Sequence, residues 1–396
     1  MFYRWLDRQR PQLLLHVLNQ LHCGEICLTM PDGACHVFKG EANGPKADLH
    51  IHTDAALGRI LRDGKMGFCE AFMEGDVTSR SLPALIELAA RHDQYLESRL
   101  KTNLLRKWGL RLFHRRRQNS KNGSARNIAH HYDLGNDFYK AWLDPTMTYS
   151  SAVFAGDNED LREAQINKYR HLADLADIQP HDHVLEIGCG WGGFARYVGS
   201  ECGASVTGIT ISKEQLSYAR KLIRDESLSD RVHIALTDYR DLQGTFDKIV
   251  SIEMFEAVGQ TYWPVYFKTL SKLLKPGGRA VIQSITIDHR AFDSYRRQPD
   301  FIQRYIFPGG MLPSMKMLEK PVSDAGLQLV SEHGYASHYA RTLDHWRRRF
   351  NDSWPTLAKR NFDERFRRMW ELYLAYCEGG FRAELIDVKQ MLLTHK

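Results

Sequence analysis

No run in this sequence approaches the ~18–20 consecutive uncharged apolar residues that a membrane-spanning helix needs, which excludes an integral membrane protein built on such helices. No pairable set of cysteines is present either. The seven, at positions 23, 27, 35, 69, 189, 202 and 377, are an odd number in a long chain, so no disulfide framework follows from them. Cys23, Cys27 and Cys35 lack the paired CxxC spacing of a structural zinc site and are expected to be thiols, with no metal. A secretory leader is missing too: Leu13, Leu14 and Leu15 are preceded by Arg8, Arg10 and Pro11, and no small-residue cleavage site follows, so a mature, cytoplasmic chain is expected. Internal repeats and low-complexity tracts are absent. What remains is a 396-residue chain, 43% hydrophobic and 26% charged, which is globular in composition and long enough for one large domain or two unequal ones.

Acidic residues are lacking in one place. From Ser98 to Tyr132 there is no Asp or Glu but ten basic residues: Arg99, Lys101, Arg106, Lys107, Arg111, Arg115, Arg116, Arg117, Lys121 and Arg126. Leu100, Leu104, Trp108 and Leu112 recur at i+4 spacing within it, predicting a helix with an apolar stripe beside a basic face, the pattern of an interfacial membrane helix. Each Lys or Arg near an anionic leaflet contributes ~1 kcal/mol; a solvated linker helix is the competing reading. Only Trp108 and Phe113 interleave with the charges, too few aromatics for a nucleic-acid surface. The stretch points to peripheral association with the inner face of a membrane through residues 99–126. It also divides the chain into an N-terminal α+β domain over 1–98, a basic helix and linker over 99–128, and a domain over 129–396 in which strand-like runs alternate with helical periodicity, as a parallel α/β sheet requires.

The strongest chemical signal is the run His183-Val-Leu-Glu-Ile-Gly-Cys-Gly-Trp-Gly-Gly193. It predicts a strand breaking into a glycine turn and then a helix through Phe194 to Ser200, a layout that brings backbone amides close to a nucleotide. A dinucleotide enzyme would place an acid near the end of the second strand, Ser205 to Ile211; Thr210, Ser212 and Gln215 stand there instead. The acid comes before the turn, at Glu186, the arrangement of S-adenosylmethionine methyltransferases, in which no pyrophosphate needs neutralising. A third run, Val232 to Leu236, leads to Asp238 and Tyr239, placed to read an adenine. Lys248 to Ile252 and Arg279 to Ile287, the latter after the turn Lys275-Pro-Gly-Gly278, supply a fourth and a fifth strand. Five ordered elements predict a class I methyltransferase sheet, α/β and Rossmann-like.

Further motifs extend this reading over nearly the whole chain: His131-Tyr-Asp-Leu-Gly-Asn-Asp-Phe138, Met147-Thr-Tyr-Ser-Ser-Ala152, Thr210-Ile-Ser-Lys-Glu-Gln215, Met254-Phe-Glu256 and Arg304-Tyr-Ile-Phe-Pro-Gly-Gly-Met-Leu-Pro-Ser314. In these the sequence resembles the cyclopropane-fatty-acyl-phospholipid synthases and their mycolic-acid relatives. The resemblance implies a catalytic domain with a lid of extra helices, a smaller N-terminal domain that helps engage the bilayer, and a homodimer. It also implies the reaction: the methyl of S-adenosylmethionine is added across a cis double bond in the acyl chain of a membrane phospholipid, anionic by the basic segment's charge.

An alkene is a feeble nucleophile, so such a site must hold the sulfonium methyl and the double bond in near-attack geometry in a dry apolar tunnel. The carbocation left after transfer needs stabilisation by anions or π-faces, and a base must then remove a proton from the new methyl. The resemblance implies that this base is a bicarbonate ion held by Ser151, Glu256, Gln283, the backbone carbonyl of Ile285, and Tyr339. Ser151 stands where Cys is usual and Gln283 where His is usual, yet a hydroxyl and an amide still hydrogen-bond an oxyanion. Together with Glu256-Ala-Val-Gly259 they are similar to the plant-type synthases, which also make rings. Without bicarbonate the cation would lose its proton elsewhere, giving a methylene- or methyl-branched chain; a non-catalytic lipid-binding relative is a third reading. Glu256 has its own alternative as a helix-start carboxylate satisfied by local amides.

For S-adenosylmethionine the candidates are Tyr149 and Ser150 near the methionine end, Glu186, Gly188 and Gly190 at the glycine turn, Thr210, Ile211 and Gln215 around the ribose, and Asp238 and Tyr239 near the adenine. Tyr149, Phe154, Tyr305 and Phe307 are expected either to line an acyl tunnel or to be ordinary core aromatics. His50 and His52 form an HxH of the kind that opens metal-dependent hydrolase sites, but without further ligands on later strands they read as the polar face of a half-buried strand. Residues 345–393, rich in Trp, Phe and Arg, are expected to be helical and to form part of the lid.

Overall fold

The computed structural model describes residues 11–92, 134–360 and 362–396. The basic segment 99–126, and His131 to Asp133 of the first shared motif, lie outside the described residues. The chain forms two compact units. One is drawn from the described residues before 93 together with Gln298–Ile302 and Leu343–Leu385; the other comprises residues from 134 to Arg297, Gln303–Thr342 and Ile386–Lys396.

The second unit is organised by a seven-stranded sheet. Its strands are β5 (His183–Ile187), β6 (Ser205–Thr210), β7 (Val232–Leu236), β8 (Phe246–Ile252), β9 (Leu274–Ile287), β10 (Leu327–Gly334) and β11 (Ile386–His395), in the order β10-β11-β9-β8-β5-β6-β7. Pairing is parallel from β7 to β9, and β11 runs antiparallel between β9 and β10. The central strands read as near-continuous apolar runs because both faces are covered. Alternate residues divide between two cores: Leu185, Ile187, Ile249 and Ile282 meet Phe255, Trp263 and Phe267 on one side, while Val184, Val250 and Val281 meet Tyr169, Leu172 and Phe194 on the other.

Helix starts are set by side-chain caps. Asp160 accepts from the Glu163 amide to open the helix Leu161–Ala176, and Ser212 accepts from the Gln215 amide to open Lys213–Asp225. The predicted helix after the glycine turn is Gly193–Tyr197, continued by a wider turn over Val198–Cys202.

The first unit carries a four-stranded sheet: β1 (Cys23–Thr29), β2 (Cys35–Lys39), β3 (Ala42–Ile51) and β4 (Val77–Thr78), in the order β2-β1-β3-β4. His50 and His52 are exposed at the end of β3 and its exit, and His52 Nε2 pairs with Thr78 Oγ1 at 2.9 Å, so they occupy the polar side of that strand as read from the sequence. Helices Asp54–Glu74 and Leu82–Arg91 pack beside the sheet. Among the described residues no helix is long and apolar enough to cross a membrane.

Two expectations are corrected here. Residues 386–393 form most of strand β11 rather than helix, because the segment pairs with β9 over its whole length and Gln390 to Leu393 are buried on both faces of the sheet. The helical stretch before it, expected as lid, joins the N-terminal unit: the helix Glu364–Arg382 packs on Leu82–Arg91 and on Asp54–Glu74. The reason is close approach at Gly379, where an added Cβ would lie 2.7 Å from Ile86 Cβ and 2.8 Å from the Glu87 amide nitrogen. Beside it Glu378, fully buried, accepts from Arg347 Nε at 3.0 Å and from an Arg382 guanidinium nitrogen at 2.5 Å.

Gly379→Ala tests this packing by its sign. In an exposed helix the change would stabilise by about 1 kcal/mol; against the Leu82–Arg91 backbone it is expected to destabilise by ~1–3 kcal/mol. Urea denaturation followed by tryptophan fluorescence measures the difference, and a stabilised variant would show that the two helices do not meet here.

Candidate active site

The site of the second unit lies where β5, β6, β8 and β9 end. The turn after β5 is shaped by glycine: Gly188 has φ +82° and Gly190 φ +52°, and the amides of Gly188 and Cys189 both bond the Ile209 carbonyl, at 3.0 and 2.9 Å. A Cβ on Gly188 would press on Met254 Cγ at 2.7 Å, so the glycine turn sits directly against the segment that leaves β8; a Cβ on Gly190 would meet open space. Glu186, one residue inside β5, is buried, its Oε2 has no hydrogen-bond partner among the described residues, and burial pushes its carboxyl up to about 8. An orphaned carboxylate oxygen beside a glycine turn with room in front of it is what a ligand bearing an ammonium group would satisfy.

Around that turn the sequence-predicted residues fall into different roles. Thr210 Oγ1 donates to Gln215 Oε1 at 2.8 Å and accepts from the Ser212 amide at 3.1 Å, so both side chains shape the β6 exit next to Ile211. Asp238 is engaged by Arg240, which donates from Nε at 2.8 Å and from a terminal nitrogen at 2.6 Å. Tyr239, placed near the adenine by the sequence, is in the apolar core against Tyr266, ring centroids 5.4 Å apart. Tyr149 packs with Tyr139 and Trp142 at 5.5 and 5.4 Å, and Trp191 of the glycine turn packs at a tilt against the same Tyr139 at 5.0 Å. Phe154 has other company, under the Arg341 guanidinium at 3.8 Å and beside His338; Tyr305 lies under Arg304.

Ser150 and Ser151 occupy a backbone held from several sides. The helix Leu161–Ala176 presents Gln165 and Lys168 on one face, one turn apart: Gln165 Nε2 donates to the Ser150 carbonyl at 2.9 Å and Lys168 Nζ to Ser150 Oγ at 2.7 Å. Lys168 is fully buried, and desolvation pulls its ammonium down to about 7 against the attraction of Glu253, Asp144 and Glu186. The Ala152 amide donates to Thr342 Oγ1 at 3.1 Å.

At the centre is a residue that the sequence reading passed over. Glu253, the first residue after β8, is partly buried, and its carboxylate accepts three hydrogen bonds: the Ser151 amide at 2.8 Å and Gln283 Nε2 at 2.8 Å on Oε1, and the Tyr339 hydroxyl at 2.5 Å on Oε2. Its backbone is left-handed at φ +49°, pinned by its amide to the Gln283 carbonyl at 2.7 Å. Gln283 is oriented in turn, its Oε1 accepting from Gln390 Nε2 at 3.0 Å across the β9–β11 ladder, where the two residues are register partners. That bond leaves its amide nitrogen to face the carboxylate.

Ser151, Gln283 and Tyr339 thus do converge, but on Glu253. Ser151 contributes its amide, while its hydroxyl donates to the Ala152 carbonyl at 3.0 Å. Glu256 and Ile285 form a neighbouring pair: Glu256 Oε1 accepts from the Ile285 amide and from Ser284 Oγ, the latter at 3.1 Å, and Oε2 is buried with no partner among the described residues. These partners lie on β9, so Glu256 is not a helix-start carboxylate satisfied by local amides alone. Ile285 offers Glu256 its amide, and its carbonyl takes Ser284 Oγ at 3.3 Å. Burial and the nearby Glu253 push the Glu256 carboxyl up to about 8. The donors expected to grip a bicarbonate ion are engaged by a carboxylate of the chain itself, and the residues present do not fit that ion as the resemblance implied. The missed signal was an acid directly following the apolar run Ile249-Val-Ser-Ile252.

Comparison with known proteins agrees with the motif order. The model of the mycolic acid cyclopropane synthetase family matches residues 119–391. Tuberculostearic acid methyltransferase UfaA1 of Mycobacterium tuberculosis (strain ATCC 25618 / H37Rv) is 41% identical over 367 residues, covering 90% of this chain and 85% of the relative. Cyclopropane-fatty-acyl-phospholipid synthase of Escherichia coli (strain K12) is 36% identical over 351 residues, 88% of each. Among solved structures, mycolic acid cyclopropane synthase CmaA1 complexed with SAH and CTAB has a TM-score of 0.64 at 31% identity, over 69% of this chain and 98% of that one. The cyclopropane synthase MmaA2 from Mycobacterium tuberculosis has a TM-score of 0.64 at 32%, over 68% and 97%. The α/β sheet of the second unit is therefore a class I methyltransferase fold, and the chain belongs to the mycolic acid cyclopropane synthetase family of S-adenosylmethionine-dependent enzymes that modify lipid acyl chains.

Proposed function

We propose that the protein adds the methyl carbon of S-adenosylmethionine to the cis double bond of an unsaturated phospholipid acyl chain and closes a cyclopropane ring. The observation that carries this is the carboxylate of Glu253 with three donors, beside the glycine turn: a fixed, hydrogen-bonded anion is what a transient alkyl cation requires. S-adenosylmethionine supplies a methyl on a sulfonium, and the chain's residues do the rest. Glu186, Gly188 and Gly190 are the groups that would meet its methionine part, with Thr210, Ile211 and Gln215 at the ribose. Tyr139, Trp142 and Tyr149 supply π-faces beside the turn. The segment 99–126 would bring the site to an anionic leaflet, and a homodimer would double that anchorage.

Ring closure is the first reading because Ser151, Glu256 to Gly259 and Gln283 are similar to the plant-type pattern. A second reading, a methylene- or methyl-branched product, is supported by the 41% identity to a tuberculostearic acid methyltransferase. Incubation of the full chain with methyl-labelled S-adenosylmethionine and vesicles of cis-unsaturated phosphatidylglycerol, followed by mass spectrometry and proton NMR of the acyl chains, separates them. Upfield ring-methylene protons are the expected outcome. Vinylidene or branched-methyl protons would establish the second reading, and label that never enters lipid would overturn both.

Two neighbouring carboxyls do not both ionise easily, and burial together with the charge of Glu253 pushes the Glu256 carboxyl up to about 8. Its folded-state value, raised to about 8 from an ordinary 4.5, means that its contribution to stability is complete below about 4.5 and is lost as pH rises through about 8. Glu256→Gln mimics the protonated acid. It is expected to leave unfolding free energy close to wild type near pH ~4.5 and to raise it relative to wild type near pH ~9. Urea denaturation at the two pH values reads the difference; an equal shift at both would show that Glu256 is ionised in the folded protein.

A further inference from the structure

We propose that the carboxylate of Glu253 is itself the base of the reaction, a built-in anion occupying the place where a bicarbonate ion was expected. The inference rests on the proposed reaction and adds the group that completes it.

Three observations carry it. The first is the donor set: the amide of Ser151, the amide nitrogen of Gln283 and the hydroxyl of Tyr339 come from three separate parts of the second unit and meet on one carboxylate. Two of the three are themselves held in place, Ser151 by Gln165, Lys168 and Thr342 acting on the residues either side of it, and Gln283 by Gln390. The second is backbone strain. A non-glycine residue at φ +49° is disfavoured, and at Glu253 it is maintained by the amide bond to the Gln283 carbonyl together with the side-chain bonds. The conformation turns the residue after β8 back into the site instead of along the chain.

The third is the difference between the two carboxyls. Glu256 accepts at Oε1 alone, from Ile285 and Ser284, whereas both oxygens of Glu253 accept hydrogen bonds, and donors to both oxygens favour the ionised form at Glu253. Partial burial raises the basicity of the Glu253 carboxylate above that of one in solvent. Three donors keep it ionised until a cation forms beside it.

The atoms balance without a further reagent. The alkene π pair forms a bond to the methyl carbon while the carbon–sulfur bond breaks, its electrons remaining on sulfur as the neutral thioether. The neighbouring alkene carbon is then cationic. Glu253 takes a proton from the newly added methyl, the freed carbon–hydrogen pair forms the third side of the ring, and the carboxylic acid returns its proton to water when the site reopens. If a hydride shift precedes this step, the same proton loss gives a methylene group, so Glu253 serves either product.

The test uses the purified full chain with methyl-labelled S-adenosylmethionine and cis-unsaturated phosphatidylglycerol vesicles, in buffer stripped of carbon dioxide under argon and in the same buffer with sodium bicarbonate restored. Wild-type turnover is expected to be equal in the two. Glu253→Gln is expected to lose about 10²–10⁴-fold in turnover with binding of S-adenosylmethionine kept. Glu253→Gly, whose backbone suits the left-handed conformation, leaves the three donors facing a gap, and is expected to be inactive in stripped buffer and to recover in part with bicarbonate or formate. Wild-type activity that collapses on stripping and returns with bicarbonate would overturn the assignment while leaving the proposed function intact, as would Glu253→Gln retaining activity within a few-fold. A wild type that labels no lipid in either buffer would overturn both. The wild-type comparison needs no variant to fold.

Discussion

A carboxylate drawn partly out of water must find its lost hydration replaced by protein donors, and Glu253 is where this protein meets that demand. Each donor fixes a different part of the second unit. The Ser151 amide requires the 147–152 segment to lie over the end of β8. The Gln283 amide requires β9 to continue past the point where β8 stops, and to be paired with β11 so that Gln390 sets its orientation. The Tyr339 hydroxyl requires the helix Ala336–Leu357 to begin where it does, which the Tyr335 amide secures by bonding the Val388 carbonyl at 2.9 Å and the Asp387 carboxylate at 3.1 Å. An uncompensated carboxylate would follow the loss of any of these, a larger penalty than the loss of one neutral hydrogen bond.

The polar interior extends beyond that centre in a connected way. Lys168 reaches Ser150 from below, and the acids Asp144, Glu186 and Glu253 all act on its charge. Opposite signs in a low-dielectric region stabilise each other while desolvation disfavours each alone, which is why Lys168 is drawn down to about 7 and Glu186 raised to about 8. The glycine turn adds the geometric half: Gly188 allows Met254 to press against it, and so joins the turn after β5 to the segment that carries Glu253 and Glu256.

The first unit obeys simpler rules. Its helices meet through a glycine contact at Gly379 and a buried ion pair from Glu378 to Arg347 and Arg382. Its membership is decided by packing across a long stretch of sequence: Leu343–Leu385 lies far along the chain from the N-terminal sheet with which it is grouped. Periodicity identified those residues as helical and amphipathic, yet an apolar stripe carries no address, and the face it covers depends on which partner has the complementary shape.

By itself the sequence determined the parallel sheet, because strands covered on both faces must be apolar throughout and the turns between them must carry glycine or a helix cap; β5 to β9 lie where those signals stand. Motif order brought the family, and the resemblance implied Ser151, Gln283, Tyr339, Glu256 and Ile285 as one neighbourhood. What these groups bind was decided only in three dimensions. Ser151 acts through its amide, Gln283 is aimed by a strand more than a hundred residues away, and Asp238 and Tyr239 turn to Arg240 and to the core. Glu253 occupies the place assigned to a separate ion because a left-handed residue at a strand end folds its side chain back among the donors. Residue type is written locally, whereas the direction in which a buried polar group points depends on contacts between segments distant in the chain, and those exist only once the whole sheet has closed.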